Sequence, residues 1–199
     1  DGFSRSLDLM HKGQEIAHME IHVPGKHNIL NGVAAAATAW LEGVSGADIA
    51  EHLAQFRGAG RRFELLGKKN GVTVVDDYAH HPAEIAATLT AANELGFRRV
   101  WAVFQPFTFS RTFMLLEQFR EALSIADCVV LSPIMGSREV NTYGVRSEDL
   151  RERIDGCVCL PSFEEIADYV MKNAADGDLV VTLGCGDIYK CARMMLAGK

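Results

Sequence analysis

The spacing of apolar residues changes character twice along this chain. Residues 6–10 and 15–23 alternate apolar and polar positions around a turn near Lys12 and Gly13, the period of two expected of a half-buried hairpin. Pro24 and Gly25 end that pattern. A helical spacing follows, predicting a helix with Leu30, Val33, Ala34, Ala37 and Leu41 on its buried face and Gly43 just past its end. A second helix is predicted from Ser45, burying Ile49, Leu53 and Phe56.

Beyond residues 58–60 the pattern becomes apolar runs alternating with helical stretches, the signature of a mainly parallel sheet with helices on both faces. Five strands are predicted, at 72–75, 100–104, 128–132, 157–160 and 179–183. Pro82 at a first helical position, Gly96 at a helix end, and Ser162 with Glu165 as a capping box ahead of Ile166 and Val170 punctuate the helices between them. The expected architecture is α/β, with a domain boundary near residues 58–60.

That architecture gives the polar loops their meaning, because open parallel sheets bind ligands outside the carboxyl ends of their strands. Loops 76–82 (DDYAHHP), 105–111 (QPFTFSR), 133–139 (PIMGSRE) and 184–187 (GCGD) occupy those ends. The first places two carboxylates, a phenol and two imidazoles before a helix that starts at Pro82, a start with free N–H groups suited to an anion. His81 as a helix cap and Asp76 as a turn residue are equally economical readings, whereas Asp77 and His80 read as functional. Adjacent residues rarely converge on one ion and no third ligand recurs at metal spacing, so no metal site is expected.

Arg111, at the opening of a helix, has the fork to hold a carboxylate or phosphate, with a solvated surface arginine as the alternative. Arg61 and Arg62 form the other candidate cation pair, one of which is expected in a surface salt bridge. The late GCGD lacks a third glycine and a downstream acid, so it reads as a tight strand-to-helix turn capped by Asp187, with Cys185 a small filler. Asn28 and Asn31, three apart on one helical face, suit the edge of a nucleobase, although asparagine near a helix start is often only a cap.

Composition narrows the class. The 199 residues are 48% hydrophobic, enough for a substantial core, and carry a formal charge of -6 without a long basic run, which argues against nucleic acid or an anionic membrane as the main partner. The five cysteines form no CxxC pair, which fits a reducing cytoplasm. No apolar stretch approaches a membrane span and no signal peptide is recognisable; the first residue is Asp rather than Met, as in a trimmed chain.

Taken in order, GKHNILN, the arginine pair before Phe63, DDYAHHPAE, the FQP and FSRT segments of one loop, and GCGDI resemble the Mur ligases of peptidoglycan synthesis over nearly the whole chain. Within them the resemblance is to the branch that joins L-alanine to UDP-N-acetylmuramate through an acyl phosphate made with ATP and Mg2+. It implies that residues 1–58 are the end of a central ATPase domain and residues 59–199 a Rossmann-like C-terminal domain. The UDP-sugar domain and the GxxxxGK[ST]-type loop are not among these residues, so no turnover by this chain alone is expected. His27, Asn28 and Asn31 would line the adenine pocket, and Arg62 and Asp77 would hold the nucleotide through phosphate and ribose. Tyr78, His80 and Arg111 would receive L-alanine, with His80 and Arg111 orienting it for catalysis. Phe107 and Thr108 depart from the His and Arg often found after FQP, placing more of that task on Arg111 and His80. Two other readings stay open: a recycling ligase that attaches a murein peptide to UDP-N-acetylmuramate, and a non-catalytic nucleotide or amino-acid binding module.

Overall fold

The computed structural model describes residues 4–197. The chain divides into two units, Asp1–Ala59 and Gly60–Lys199.

In the first unit, β1 (Arg5–His11) and β2 (Gln14–Ile21) form an antiparallel hairpin. Lys12 and Gly13 both have positive φ, the two-residue turn whose twist matches that of the strands. Helices α1 (Lys26–Leu41) and α2 (Gly46–Gln55) follow, and Ala17, Met19, Ala36 and Ile49 form the core with Leu7, Val33, Trp40 and Leu53 against it. The predicted buried face of α1 holds only in part: Val33 packs against the core and Ala37 is half-buried, but Leu30 is 60% and Leu41 75% exposed, and Ala34 is exposed too. Small residues decide the packing, because a Cβ at Gly32 would collide with the Ile21 side chain. Backbone proximity thus outweighs side-chain size, and the alanine-rich middle of the helix carries little directional signal of its own. Ser45 caps α2 by accepting the Asp48 N–H, and Ile49 is buried as expected. Phe56 is instead 48% exposed, since it lies one residue beyond the helix and its backbone has turned extended.

The second unit is a six-stranded sheet in the order β3-β4-β8-β5-β6-β7. Strand β3 (Glu64–Lys69), absent from the five expected, runs antiparallel to β4 (Val72–Asp77) through the Asn70–Gly71 turn. The other strands, β5 (Val100–Phe104), β6 (Cys128–Leu131), β7 (Val158–Cys159) and β8 (Leu179–Leu183), are parallel to β4. Strand β7 is shorter than the predicted 157–160, as suits an edge that pairs only through Val158 and Cys159. The helices between strands are α3 (Pro82–Asn93), α4 (Phe109–Met114), α5 (Leu116–Leu123), α6 (Ser147–Arg151), α7 (Phe163–Asn173) and α8 (Tyr189–Ala197).

Side chains that alternate along the strands build two apolar layers. Trp101, Val103, Val130 and Val180 meet Ile166 and Val170 of α7 and Cys191 and Met195 of α8. On β5 the next residue points the other way, and the Phe104 ring packs 5.3 Å from that of Phe119 on α5. Ser162 caps α7 by accepting the Glu165 N–H, while Glu165 closes on the serine hydroxyl rather than on its backbone N–H. At the amino ends of β5 and β8 the fully buried Asp178 accepts from Arg98, Arg99, the Trp101 indole and the Ala175 N–H. Burial opposes its charge, yet these donors hold its carboxyl below the ordinary range.

Candidate functional site

Strand β8 inserts between β4 and β5, so the carboxyl ends of these three strands bring loops 76–82, 184–187 and 105–111 side by side. Asp76 is not a turn residue. It is the penultimate residue of β4, 1% exposed, accepting from Thr182 Oγ1 at 2.6 Å and from Arg61 Nε at 2.8 Å. Arg61 also donates through its two terminal nitrogens to the Gly184 and Gly186 carbonyls at 2.6 and 3.1 Å and lies 4.9 Å from the ring centres of both Tyr78 and Tyr189. The expected surface salt bridge of the arginine pair is therefore a largely buried clamp that fixes the last turn of the edge.

Asp77 faces inward. Its carboxylate accepts the Phe63 and Ala79 N–H groups, each at 2.7 Å, and burial, opposed by these bonds, pushes its carboxyl above the ordinary range. This ties the arginine segment to the loop after β4. Arg62, by contrast, is exposed, with its guanidinium 5.6 Å from the Tyr78 ring centre and no hydrogen bond of its own among the described residues.

The start of α3 differs from the open anion seat expected there. Glu84 reaches back so that one carboxylate oxygen accepts the N–H groups of His80 and His81 at 3.0 and 3.2 Å, and the His81 ring accepts the Ala83 N–H. His81 is thus the cap of a reciprocal capping box. Burial works against the Glu84 charge, but the two N–H groups, with His80 and Arg62 nearby, hold its carboxyl below the ordinary range. His80 Nδ1 faces two acceptors, the Tyr78 carbonyl at 3.0 Å and a Glu84 oxygen at 3.3 Å, so Nδ1 carries hydrogen and Nε2 is the ring's open nitrogen.

Arg111, on the first turn of α4, donates to the His80 carbonyl at 3.4 Å, and the rings of Tyr78 and His80 meet edge-on at 5.5 Å. Tyr78, His80 and Arg111 are therefore gathered at one place. The turn 184–187 is locked from β5: the buried Gln105 exchanges hydrogen bonds with Asp187, whose carboxylate also takes Lys190. Asp187 does not cap α8 through its side chain as expected. Cys185 behaves as a filler, since burial raises its thiol. Thr108, at the cap position of α4, makes no side-chain cap; Glu139, from the loop after β6, serves Ser110 instead.

His27, Asn28 and Asn31 stand at the start of α1 in the first unit. His27 and Asn31 are exposed, while the Asn28 amide donates to the Pro24 carbonyl at 2.6 Å; this is a local bond but not a helix cap, since the cap position of α1 is Gly25 and no side chain caps it. Among the described residues no group of three or more His, Cys, Asp or Glu side chains is placed to hold a metal ion. No helix among them is long and apolar enough to cross a membrane.

The second unit is thus a three-layer α/β domain with buried clamps behind a polar edge that carries exposed Tyr78 and half-buried His80 and Arg111. Residues 61–186 match the Mur ligase, glutamate ligase domain, and the chain belongs to that family. A UDP-N-acetylmuramate–L-alanine ligase of Lachnospira eligens is 46% identical over 195 residues, covering 96% of this chain and 42% of the relative. The crystal structure of the UDP-N-acetylmuramate-alanine ligase MurC of Thermotoga maritima is 25% identical with a TM-score of 0.79, over 98% of this chain and 43% of that one. A murein peptide ligase of Psychrobacter arcticus is 27% identical with a TM-score of 0.62, over 99% and 42%. The chain thus spans about two fifths of the length of such relatives.

Proposed function

We propose that this chain is the part of a cytoplasmic UDP-N-acetylmuramate–L-alanine ligase of peptidoglycan synthesis that receives the amino acid and completes the nucleotide site. Residues 1–58 are read as the end of its central ATPase domain and residues 59–199 as its C-terminal domain. The observation that carries this reading is the grouping of Tyr78, His80 and Arg111 at one sheet edge, with the Arg111 guanidinium engaged by a single carbonyl. The kinship to the alanine ligase, at 46% identity, favours it over the murein peptide ligase.

In the reaction, ATP supplies the phosphoryl group that turns the carboxylate of UDP-N-acetylmuramate into an acyl phosphate; the amine of L-alanine then attacks the acyl carbon and phosphate leaves. The residues of this chain contribute positioning and charge rather than a nucleophile. Arg111 holds the alanine carboxylate through its fork. His80, oriented by the Tyr78 carbonyl and Glu84, presents Nε2 as an acceptor for a hydrogen of the amine. Arg62 has its donors available for a phosphate. Asp77 organises the nucleotide edge from behind, since both of its oxygens already serve backbone N–H groups. His27, Asn28 and Asn31 are assigned to the adenine. The ligands of Mg2+ and the phosphate loop are assigned to the remaining part of the parent protein, and this chain alone is expected not to turn over.

The test is phosphate release by the full-length protein that contains this chain, supplied with UDP-N-acetylmuramate, ATP and Mg2+. L-alanine should support release well above glycine, L-serine or the murein tripeptide, and Arg111→Ala should raise KM for L-alanine by roughly a hundredfold, the loss of a charge-assisted fork. Preference for the tripeptide would transfer the chain to the recycling reaction. Release that Arg111→Ala leaves unchanged would remove Arg111 from the site.

A further inference from the structure

We propose that Glu139 is a positioning residue for Arg111, and that the loop following β6 is a brace that sets the geometry of the amino-acid site. The inference rests on the reading of Arg111 given above.

Helix α4 has six residues, too few to hold its own shape in water. Its cap position, Thr108, provides no side-chain cap, and of its six residues only Thr112 is buried. What fixes it comes from residues 135–143, along its length. Met135 donates its N–H to the Pro106 carbonyl at 2.9 Å. Gly136 sits under the Phe109 ring so closely that a Cβ there would come within 2.8 Å of it. Tyr143 stacks on Phe113, with ring centres 5.0 Å apart. Between these contacts the Glu139 carboxylate accepts the Ser110 N–H at 2.8 Å with one oxygen and the Ser110 hydroxyl with the other.

A carboxylate 29 residues away in sequence thus replaces the missing local cap, one residue before Arg111. Both oxygens are used, so Ser110 is held in position and in rotation. The hydrogen bonds from Ser110 also hold the Glu139 carboxyl below its ordinary range, so the brace stays charged to lower pH than a free glutamate would. Among the described residues the Arg111 side chain makes one long hydrogen bond, to the His80 carbonyl, so the direction of its guanidinium depends on where α4 begins. Without Glu139 the helix start frays and the fork samples orientations that do not meet the substrate carboxylate.

The experiment compares Glu139→Ala, Glu139→Gln and wild type in the full-length protein, with KM measured separately for L-alanine and ATP, alongside backbone hydrogen exchange at residues 109–112. Glu139→Ala should raise KM for L-alanine about tenfold and leave KM for ATP within about twofold, the split expected when a binding contact is misplaced. Glu139→Gln, which keeps an acceptor for the Ser110 N–H, should recover most of that loss. Exchange at residues 109–112 should speed up in Glu139→Ala and not elsewhere in the sheet. An unchanged KM for L-alanine in an enzyme that uses it, or equal changes in both KM values with a falling Tm, would overturn the proposal. A wild type inactive with L-alanine would sink the functional reading, and unchanged exchange at residues 109–112 would independently sink the brace.

Discussion

Arg61→Ala is the substitution whose cost the structure defines best. It leaves the Asp76 carboxylate, 1% exposed, with Thr182 as its remaining side-chain donor, and strips the Gly184 and Gly186 carbonyls of theirs. Removing one member of a buried ion pair costs about 3–5 kcal/mol. Because the Arg61 side chain is 25% exposed, water can partly replace it, which places the expected loss near the lower end, about 3 kcal/mol. For a chain of this size that corresponds to a fall in Tm of roughly 6–12 °C. Arg61 has φ 59, and alanine meets the same backbone strain there, so the comparison isolates the side chain. Urea unfolding of Arg61→Ala, Asp76→Asn and the double variant, followed by circular dichroism, gives the coupling energy. About 2 kcal/mol is expected for such a pair; a value below about 0.5 kcal/mol would refute the claim that this clamp holds the carboxyl edge together.

Two further outcomes follow from the buried groups. Asp178 has its folded-state pKa lowered, so its contribution to stability is fully present above the unfolded value of about 3.9 and is lost as pH falls through the folded value. Asp178→Asn should therefore cost about 2 kcal/mol at pH 7 and progressively less as pH falls below the unfolded value, measured as urea midpoints against pH; a pH-independent cost would show that packing rather than charge is lost. Burial pushes the thiols of Cys157 and Cys191 up to about 12 and that of Cys159 up to about 11. Iodoacetamide at pH 8 should label buried Cys191 at least about a hundredfold more slowly in the folded chain than in urea, and half-buried Cys157 and Cys159 more slowly to a lesser degree, read by mass spectrometry; rapid labelling of Cys191 would contradict its burial.

How far the molecule can be read from its sequence depends on whether a signal is local. Strand β5 is a continuous apolar run and β8 is one but for Thr182; both are buried on both faces and appear where the pattern places them. Strand β3 escapes because ELLGKK, at a sheet edge, carries charges and a glycine, although the Asn70–Gly71 pair beside it is a strong hairpin signal. Strand β4 runs on through two aspartates that resemble a loop, since each carboxylate finds donors supplied by other segments: Arg61 and Thr182 for Asp76, Phe63 for Asp77. The gathering of Tyr78, His80 and Arg111 is legible because ionisable residues at strand ends must lie on one edge. The capture of the α3 start by Glu84 was within reach, as histidine followed three residues later by glutamate has the spacing of a capping box. The pairing of Glu139 with Ser110 was not, because no periodicity links a helix start to a loop on the next strand.

The filled start of α3 changes where an anion can bind. An open helix start would offer its N–H groups and dipole to a carboxylate or phosphate. Here Glu84 already occupies that place, and an incoming anion meets a negative charge beside it, with Asp77 close behind. On the proposed reading, attraction at this edge comes from Arg62 and Arg111, whose guanidinium groups are the less committed ones there. Arg61, with three hydrogen bonds and two aromatic faces, is committed to the scaffold. In the proposed ligase this divides the work cleanly: Arg111, beside His80, takes the amino-acid carboxylate, and Arg62, beside Tyr78, faces the phosphates.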